Sequence, residues 1–183
     1  MVVCRVRPLN NKEIQKGSKC CLDFHKNQKD IAINMTSETS SAHGVNKFEF
    51  DRVFDTKSEQ KEVYDHAARP IIDSVLDGFN GTIFAYGQTS SGKTHTMQGP
   101  SIEDVEMQGI IPRMVRTVFN RIETASENME FSVKVSMCEI YNEKIKDLLD
   151  PRKDNLKIHE EKGKGVYIQD ATESWCTDEN QVY

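Results

Sequence analysis

Long hydrophobic runs are missing from this chain, and no stretch approaches the length of about 20 apolar residues that a membrane-spanning helix needs. The opening Met1-Val2-Val3-Cys4-Arg5 has too short an apolar part for a secretory signal peptide. An excess of positive charge is also absent. Lys and Arg number 24 against 29 Asp and Glu, a net of −5, which removes the basic signature of a nucleic-acid-binding domain. The five cysteines are odd in number and none is spaced C-x-x-C. That pattern fits a reduced, intracellular compartment best. The five histidines lack metal-ligand spacing, and there is no internal repeat, heptad run or low-complexity linker. What remains is an ordinary balance of 37% hydrophobic and 29% charged residues over 183 positions, the size of one domain with a sizeable core.

The one stretch with explicit chemistry is Gly87-Gln88-Thr89-Ser90-Ser91-Gly92-Lys93-Thr94, which fits the phosphate-loop pattern G-x-x-x-x-G-K-[ST]. It is preceded by Thr82-Ile83-Phe84-Ala85-Tyr86, a run of strand formers opened by Asn80-Gly81. It is followed by Lys93-Thr94-His95-Thr96-Met97, which holds no helix breaker. Strand, glycine-rich loop and helix start therefore come in the order the chemistry requires. Gly87 and Gly92 permit backbone conformations closed to residues with a Cβ, so successive N–H groups can turn toward a phosphate chain. The helix start adds unpaired N–H groups and the positive end of its dipole. Lys93 is expected to reach the β- and γ-phosphates, and the Thr94 hydroxyl to ligate Mg²⁺.

Around this loop the chain reads as alternating strands and helices. Val2-Val3-Cys4-Arg5-Val6-Arg7 is a strand ended by Pro8, and on residue pattern alone Arg5 and Arg7 lie on a solvated face. Residues 9–47 are polar, with small strands at Cys21–Phe24 and Ile31–Ile33 and a mobile tip from Ser37 to Gly44. Phe48–Phe54 alternates as one strand. Thr56-Lys57-Ser58-Glu59 reads as a capping box that opens a helix carrying Val63, Ala67, Ile71, Ile72, Val75 and Leu76, kinked or split at Pro70. Pro100–Gln108 reads as an exposed loop. A second helix restarts at Ile110-Ile111-Pro112, with Arg113, Arg116 and Arg121 on its solvated side. A long strand from about Met129 to Met137, an amphipathic piece over Lys144–Leu149, a hairpin around Lys162–Gly165 and a helix start capped by Thr177 complete the reading. Alternation of this kind predicts an α/β domain with a central sheet.

Several blocks, in order, resemble the amino-terminal part of a kinesin motor domain. They are Cys4-Arg5-Val6-Arg7-Pro8-Leu9, Phe48-Glu49-Phe50-Asp51-Arg52-Val53-Phe54, Gly81 to Met97, Gly109-Ile110-Ile111-Pro112-Arg113 and Glu139 to Leu149. The Ser90-Ser91 pair leans toward conventional kinesin heavy chain. The resemblance covers essentially all 183 residues. It implies a phosphate-loop NTPase fold, with a central mixed sheet flanked by helices, of which residues 1–183 hold the nucleotide-binding part. It also implies a plus-end kinesin-like, ATP-dependent microtubule motor, cytoplasmic and on the microtubule cytoskeleton, with ATP and Mg²⁺ as cofactors, tubulin as partner and a dimerising stalk elsewhere in the parent protein. Through it Arg5, Arg7 and Pro8 become candidate contacts to the adenine, with His95 beside the base. His159, Glu160, Lys162 and Lys164 match a lobe that touches tubulin in kinesins. By charge alone that lobe is an ordinary solvated surface, since residues 143–164 carry seven basic and six acidic groups.

Two kinesin segments, N-x-x-S-S-R and D-x-x-G-x-E, supply the second Mg²⁺ carboxylate and the water-positioning group, and neither pattern occurs in these 183 residues. Tyr183 is expected to be an arbitrary end, and the isolated chain is not expected to hydrolyse ATP at motor rates. A second reading stays open, in which the chain is a truncated, non-catalytic module that binds nucleotide or tubulin.

Overall fold

Alternating side chains near the amino terminus form β1 (Val3–Arg5), which pairs in parallel with β5 (Arg52–Phe54), placing Cys4 opposite Val53. The structure, a computed structural model, describes residues 1–35, 44–163 and 165–183. It divides into two compact units, Met1–Val118 and Phe119–Tyr183.

In the first unit, α1 (Asn11–Gln15) follows Pro8 and is fixed by a capping box between Asn10 and Glu13. The small strands expected in the polar region are present. β2 (Leu22–Phe24), β3 (Asp30–Met35) and β4 (Gly44–Glu49) form an antiparallel sheet in that order. The tip expected over Ser37–Gly44 lies outside the described residues except for Gly44. The single strand expected over Phe48–Phe54 is two. β4 stops at Glu49 and β5 starts at Arg52, because Asp51 turns its amide to the Val2 carbonyl at 3.0 Å and its carboxylate to the Val2 amide at 2.6 Å.

The helix after β5 starts later than its sequence suggests. Asp55 takes the Lys57 amide at 2.8 Å, so Thr56–Ser58 forms a turn. The helix α2 (Gln60–Val63) begins after Glu59, which makes no side-chain cap. A π-helical turn over Tyr64–Ala68 separates α2 from α3 (Arg69–Leu76), which carries Pro70 in its first turn. Pro70 has no N–H to donate, and the wide turn resets the ladder just before it. The Arg69 amide bonds back five residues to the Tyr64 carbonyl. This is the split expected at Pro70.

The wide turn also aims Tyr64 and Ala68 inward. With Ile72 and Ile110 they form the core of this unit, edged by Leu76, Ile83, Met97, Met114 and Val118. Each large apolar side chain buried there contributes about 1.5–3 kcal/mol. The Tyr64 hydroxyl is satisfied by Thr117 at 2.5 Å. The helix α4 (Lys93–Met97) follows the phosphate-loop sequence, and α5 (Ile110–Glu123) follows the 98–109 loop, with Pro112 in its first turn as expected.

The second unit is built from antiparallel pairs. β6 (Val133–Val135) and β7 (Cys138–Tyr141) divide the long strand expected here, because they join different partners. β7 forms a hairpin with β8 (Lys144–Asp147), turning through Asn142 and Glu143 at φ 48° and 61°. The piece read as amphipathic over Lys144–Leu149 is therefore a strand. β9 (Ile158–Glu161) and β10 (Gly165–Ile168) form the expected hairpin. β11 (Ser174–Cys176) pairs with β6 and has Trp175 under the Lys134 ammonium, 4.4 Å from the ring centroid. The final turn, Glu179–Val182, is 3₁₀ and is capped by Asp178, not Thr177. Asp147 is fully buried, and its carboxylate accepts from the amides of Leu149, Asp150 and Thr172. No helix among the described residues is long and apolar enough to cross a membrane.

Candidate functional site

The glycine-rich loop has the backbone its sequence predicts. Gly92 sits at φ 102° and caps α4, a left-handed conformation that costs a residue with a Cβ about 1–2 kcal/mol. Ser90 is also left-handed, at φ 65°. A Cβ on Gly87 would lie 2.6 Å from the Ser91 hydroxyl, so a larger residue there requires the Ser91 side chain to turn away. Lys93 folds over the loop and donates to the carbonyls of Gly87 at 2.7 Å and Gln88 at 2.9 Å. Thr94 follows at an exposed position in the first turn of α4. The ammonium is thus held at the mouth of the loop, where a phosphate would compete for it. Glycine, lysine and threonine placed in this way fit a triphosphate with its Mg²⁺.

The lead-in differs from expectation. Residues 81–87 pair with no described strand, so the apolar run Thr82–Tyr86 is not a hydrogen-bonded strand here. Phe84 and Tyr86 are 80% and 94% exposed. Alternation shows which residues suit a strand, but a strand forms only where a neighbour supplies the ladder. Ile83 alone turns into the core.

A groove of about 440 Å³ opens beside the loop. Its lining includes Arg5, Arg7 and Pro8 from the end of β1, Ser90–Gly92 from the loop and His95 from α4. The structure therefore brings together the residues that the resemblance assigns to the base, although they are up to 90 positions apart. Neither arginine stands free on a solvated face: both are half-buried and hydrogen-bonded. The Arg5 Nη1 donates to Gln60 Oε1 at 2.8 Å and Thr96 Oγ1 at 3.0 Å. The Arg7 Nε donates to the Ser90 carbonyl at 2.8 Å, and its two terminal nitrogens engage the Glu13 carboxylate. Burial pulls Arg5 below its ordinary pKa. The His95 imidazole is also lowered, first by desolvation and then by the Arg5 charge.

Sequence reasoning missed two residues of this neighbourhood. Gln60 is buried and donates to the carbonyls of His95 at 2.8 Å and Met107 at 3.0 Å. Glu13 was readable only as the fourth residue of Asn10-Asn11-Lys12-Glu13, a capping-box spacing. The loop 98–109 is exposed over residues 103–107, as expected, but its end is tied back. Gln108 is buried, and Arg113 is not on a solvated side. It donates to the carbonyls of Gln108 at 3.0 Å and Val105 at 2.7 Å.

The tubulin-facing candidates lie in the second unit. His159 is exposed on β9 with its ring 6.2 Å from that of Tyr167, and Lys162 is exposed in the turn after β9. Lys164 lies outside the described residues.

Loop, helix start and mixed strands together define a chain of the phosphate-loop α/β class. The family model for the kinesin motor domain matches residues 5–183, and the chain belongs to that family. It is 47% identical over 182 residues to kinesin heavy chain of Drosophila melanogaster, covering 100% of this chain and 18% of that protein. It is 46% identical over 183 residues to kinesin-related protein 3 of Dictyostelium discoideum, covering 99% and 15%. A solved structure described as a fast kinesin superposes with a TM-score of 0.88 at 41% identity, over 99% of this chain and 49% of that one. The fold class expected from sequence is thereby established. The chain spans less than a fifth of those two curated relatives and about half of the solved chain.

Proposed function

We propose that residues 1–183 are the ATP-binding part of an ATP-driven microtubule motor. The observation that carries this reading is the groove that runs from the loop residues Ser90–Gly92 to Arg5, Arg7, Pro8 and His95. A nucleotide whose phosphates lie in the Gly87–Thr94 loop would extend its base into that groove, between flat or rigid side chains. Lys93 would exchange the Gly87 and Gln88 carbonyls for phosphate oxygens, and Thr94 would hold Mg²⁺. The metal, when bound, supplies charge neutralisation for the phosphates. This chain's own residues hold, orient and enclose the ligand. Hydrolysis belongs to the parent chain, since these 183 residues contain neither of the two switch patterns. Microtubule contact through His159, Lys162 and Lys164, and dimerisation through a stalk, are likewise parts of the proposal, supported by membership of the family.

The test is equilibrium binding of MgATP to the full-length protein and its Lys93→Ala variant. Loss of a hydrogen bond to a charged phosphate predicts a roughly ten- to hundredfold weaker Kd. Equal binding by the two proteins would overturn the assignment of the loop. Microtubule-stimulated phosphate release by the full-length protein tests the motor assignment, and its absence would leave only nucleotide binding.

A further inference from the structure

The Arg7 guanidinium uses four of its five N–H hydrogens on protein acceptors: Nε on the Ser90 carbonyl, Nη1 on the Pro8 carbonyl and Glu13 Oε2, and Nη2 on Glu13 Oε1. An arginine whose edges are committed in this way is poorly equipped to clamp a phosphate. What it retains is one Nη2 hydrogen and its flat face, on a side chain that lines the groove together with His95 and Pro8. Flat cationic faces of this kind stack on aromatic rings.

The partner that fixes the plane is itself fixed. Glu13 Oε2 accepts the Asn10 amide at 2.8 Å, and the Glu13 amide donates to Asn10 Oδ1 at 2.9 Å. The short helix α1 is thereby anchored at its first turn, and its carboxylate is delivered in a two-pronged geometry, 2.7 and 2.8 Å from the guanidinium. The Arg7 hydrogen bond holds the Glu13 carboxyl down at about 2, with the Asn10 amide adding to it, so the pair stays ionised throughout the neutral range.

We propose that Glu13 is a positioning residue for the purine base, holding the Arg7 plane as a stacking platform without touching the ligand. This deepens the nucleotide reading given above and rests on it. It also accounts for α1, a helix that buries none of its residues and adds nothing to the core.

The same ion pair reaches the phosphate loop through Ser90, so base stacking and loop support must be separated. The experiment uses the full-length protein and compares two ligands with Mg²⁺, ATP and ribose 5′-triphosphate, which lacks the base. For Glu13→Gln we expect ATP binding to weaken about tenfold, with ribose 5′-triphosphate binding unchanged. Arg7→Lys keeps the charge and loses the plane, and it should reproduce the same selective loss. The Glu13→Gln/Arg7→Lys double variant should be no worse than either single one. Equal weakening of both ligands would overturn the proposal and reassign Glu13 to the loop. Unchanged ATP binding by Glu13→Gln would overturn it as well. If the unaltered protein binds neither ligand, the nucleotide reading itself falls and takes this proposal with it.

Discussion

The Arg5 guanidinium and the Gln60 carboxamide meet at 2.8 Å across 55 positions of sequence. Gln60 then spends both amide hydrogens on the carbonyls of His95 and Met107. One buried side chain thus ties β1, α4 and the 98–109 loop to the start of α2. Replacing it by leucine strands the groups it served, at about 1–3 kcal/mol for each one left buried without a partner. Gln60→Leu should therefore lower the urea midpoint markedly at constant slope. Gln60→Glu should be intermediate, because a carboxylate still accepts from Arg5 but cannot donate to the two carbonyls. A leucine variant as stable as the original would show that this junction is not structural.

Gly99 and Gly109 form the neck of the 98–109 loop. The Gly109 amide donates to the Gln98 carbonyl at 3.0 Å, and a Cβ on Gly109 would lie 2.7 Å from backbone atoms of Met97, Gln98 and Gly99. Gly99 is also left-handed, at φ 88°, and its Cβ would strike the Met107 carbonyl oxygen. Backbone cannot move aside as a flexible side chain can. Gly109→Ala should open the neck and expose residues 100–108 to limited proteolysis well below the global melting temperature. A cleavage rate equal to that of the unaltered protein would contradict the close approach.

Asp147 predicts a pH dependence whose sign follows from its environment. The Thr172 amide, chiefly, with those of Asp150 and Leu149, lowers its pKa from the ordinary 3.8 to about 2. A depressed carboxylate stabilises the fold fully above the unfolded value and loses that contribution as pH falls from about 4 through about 2. The melting temperature of Asp147→Asn should thus lie below that of the unaltered protein at neutral pH. The gap should close as pH falls through that window. A constant gap would mean that the carboxylate charge is not what holds the 148–150 and 170–172 turns.

The β7–β8 turn offers a gain in stability. Glu143 occupies a left-handed position at φ 61° beside Asn142 at 48°, the pair of conformations that favours Asn-Gly. Glu143→Gly should stabilise the protein by about 0.5–1 kcal/mol, measured by denaturant unfolding. A loss of stability would indicate that the Glu143 side chain makes a contribution larger than the strain.

The clearest sequence signals were local. The phosphate loop is recognisable because its chemistry demands two glycines, a lysine and a threonine at set spacing. The helix Ile110–Glu123 is recognisable because apolar residues recur at its period. Its Arg113 was misjudged, since a charged residue at the helix start reads as solvated until the loop that folds onto it is known. The 56–59 capping box and the Thr177 cap failed for a related reason. In each case a nearby aspartate organises the turn instead: Asp55 takes the Lys57 amide and Asp178 takes the Asn180 amide, and residue type alone does not decide the winner.

By itself the sequence carried the class of fold and the family, through blocks of residues that resemble that family in order along the chain. It also carried a phosphate-loop motif at 87–94, because that motif is defined by residue types at set spacing. Tertiary structure alone decided that Arg5 and Arg7, half-buried and hydrogen-bonded, line a groove, that Gln60 and Asp147 are buried, and that β11 finds β6 some forty residues earlier. A buried polar group is tolerable only when its partners are in place. The partners of Gln60 and the Thr172 amide that meets Asp147 lie 25 to 55 residues away, where no local pattern records them.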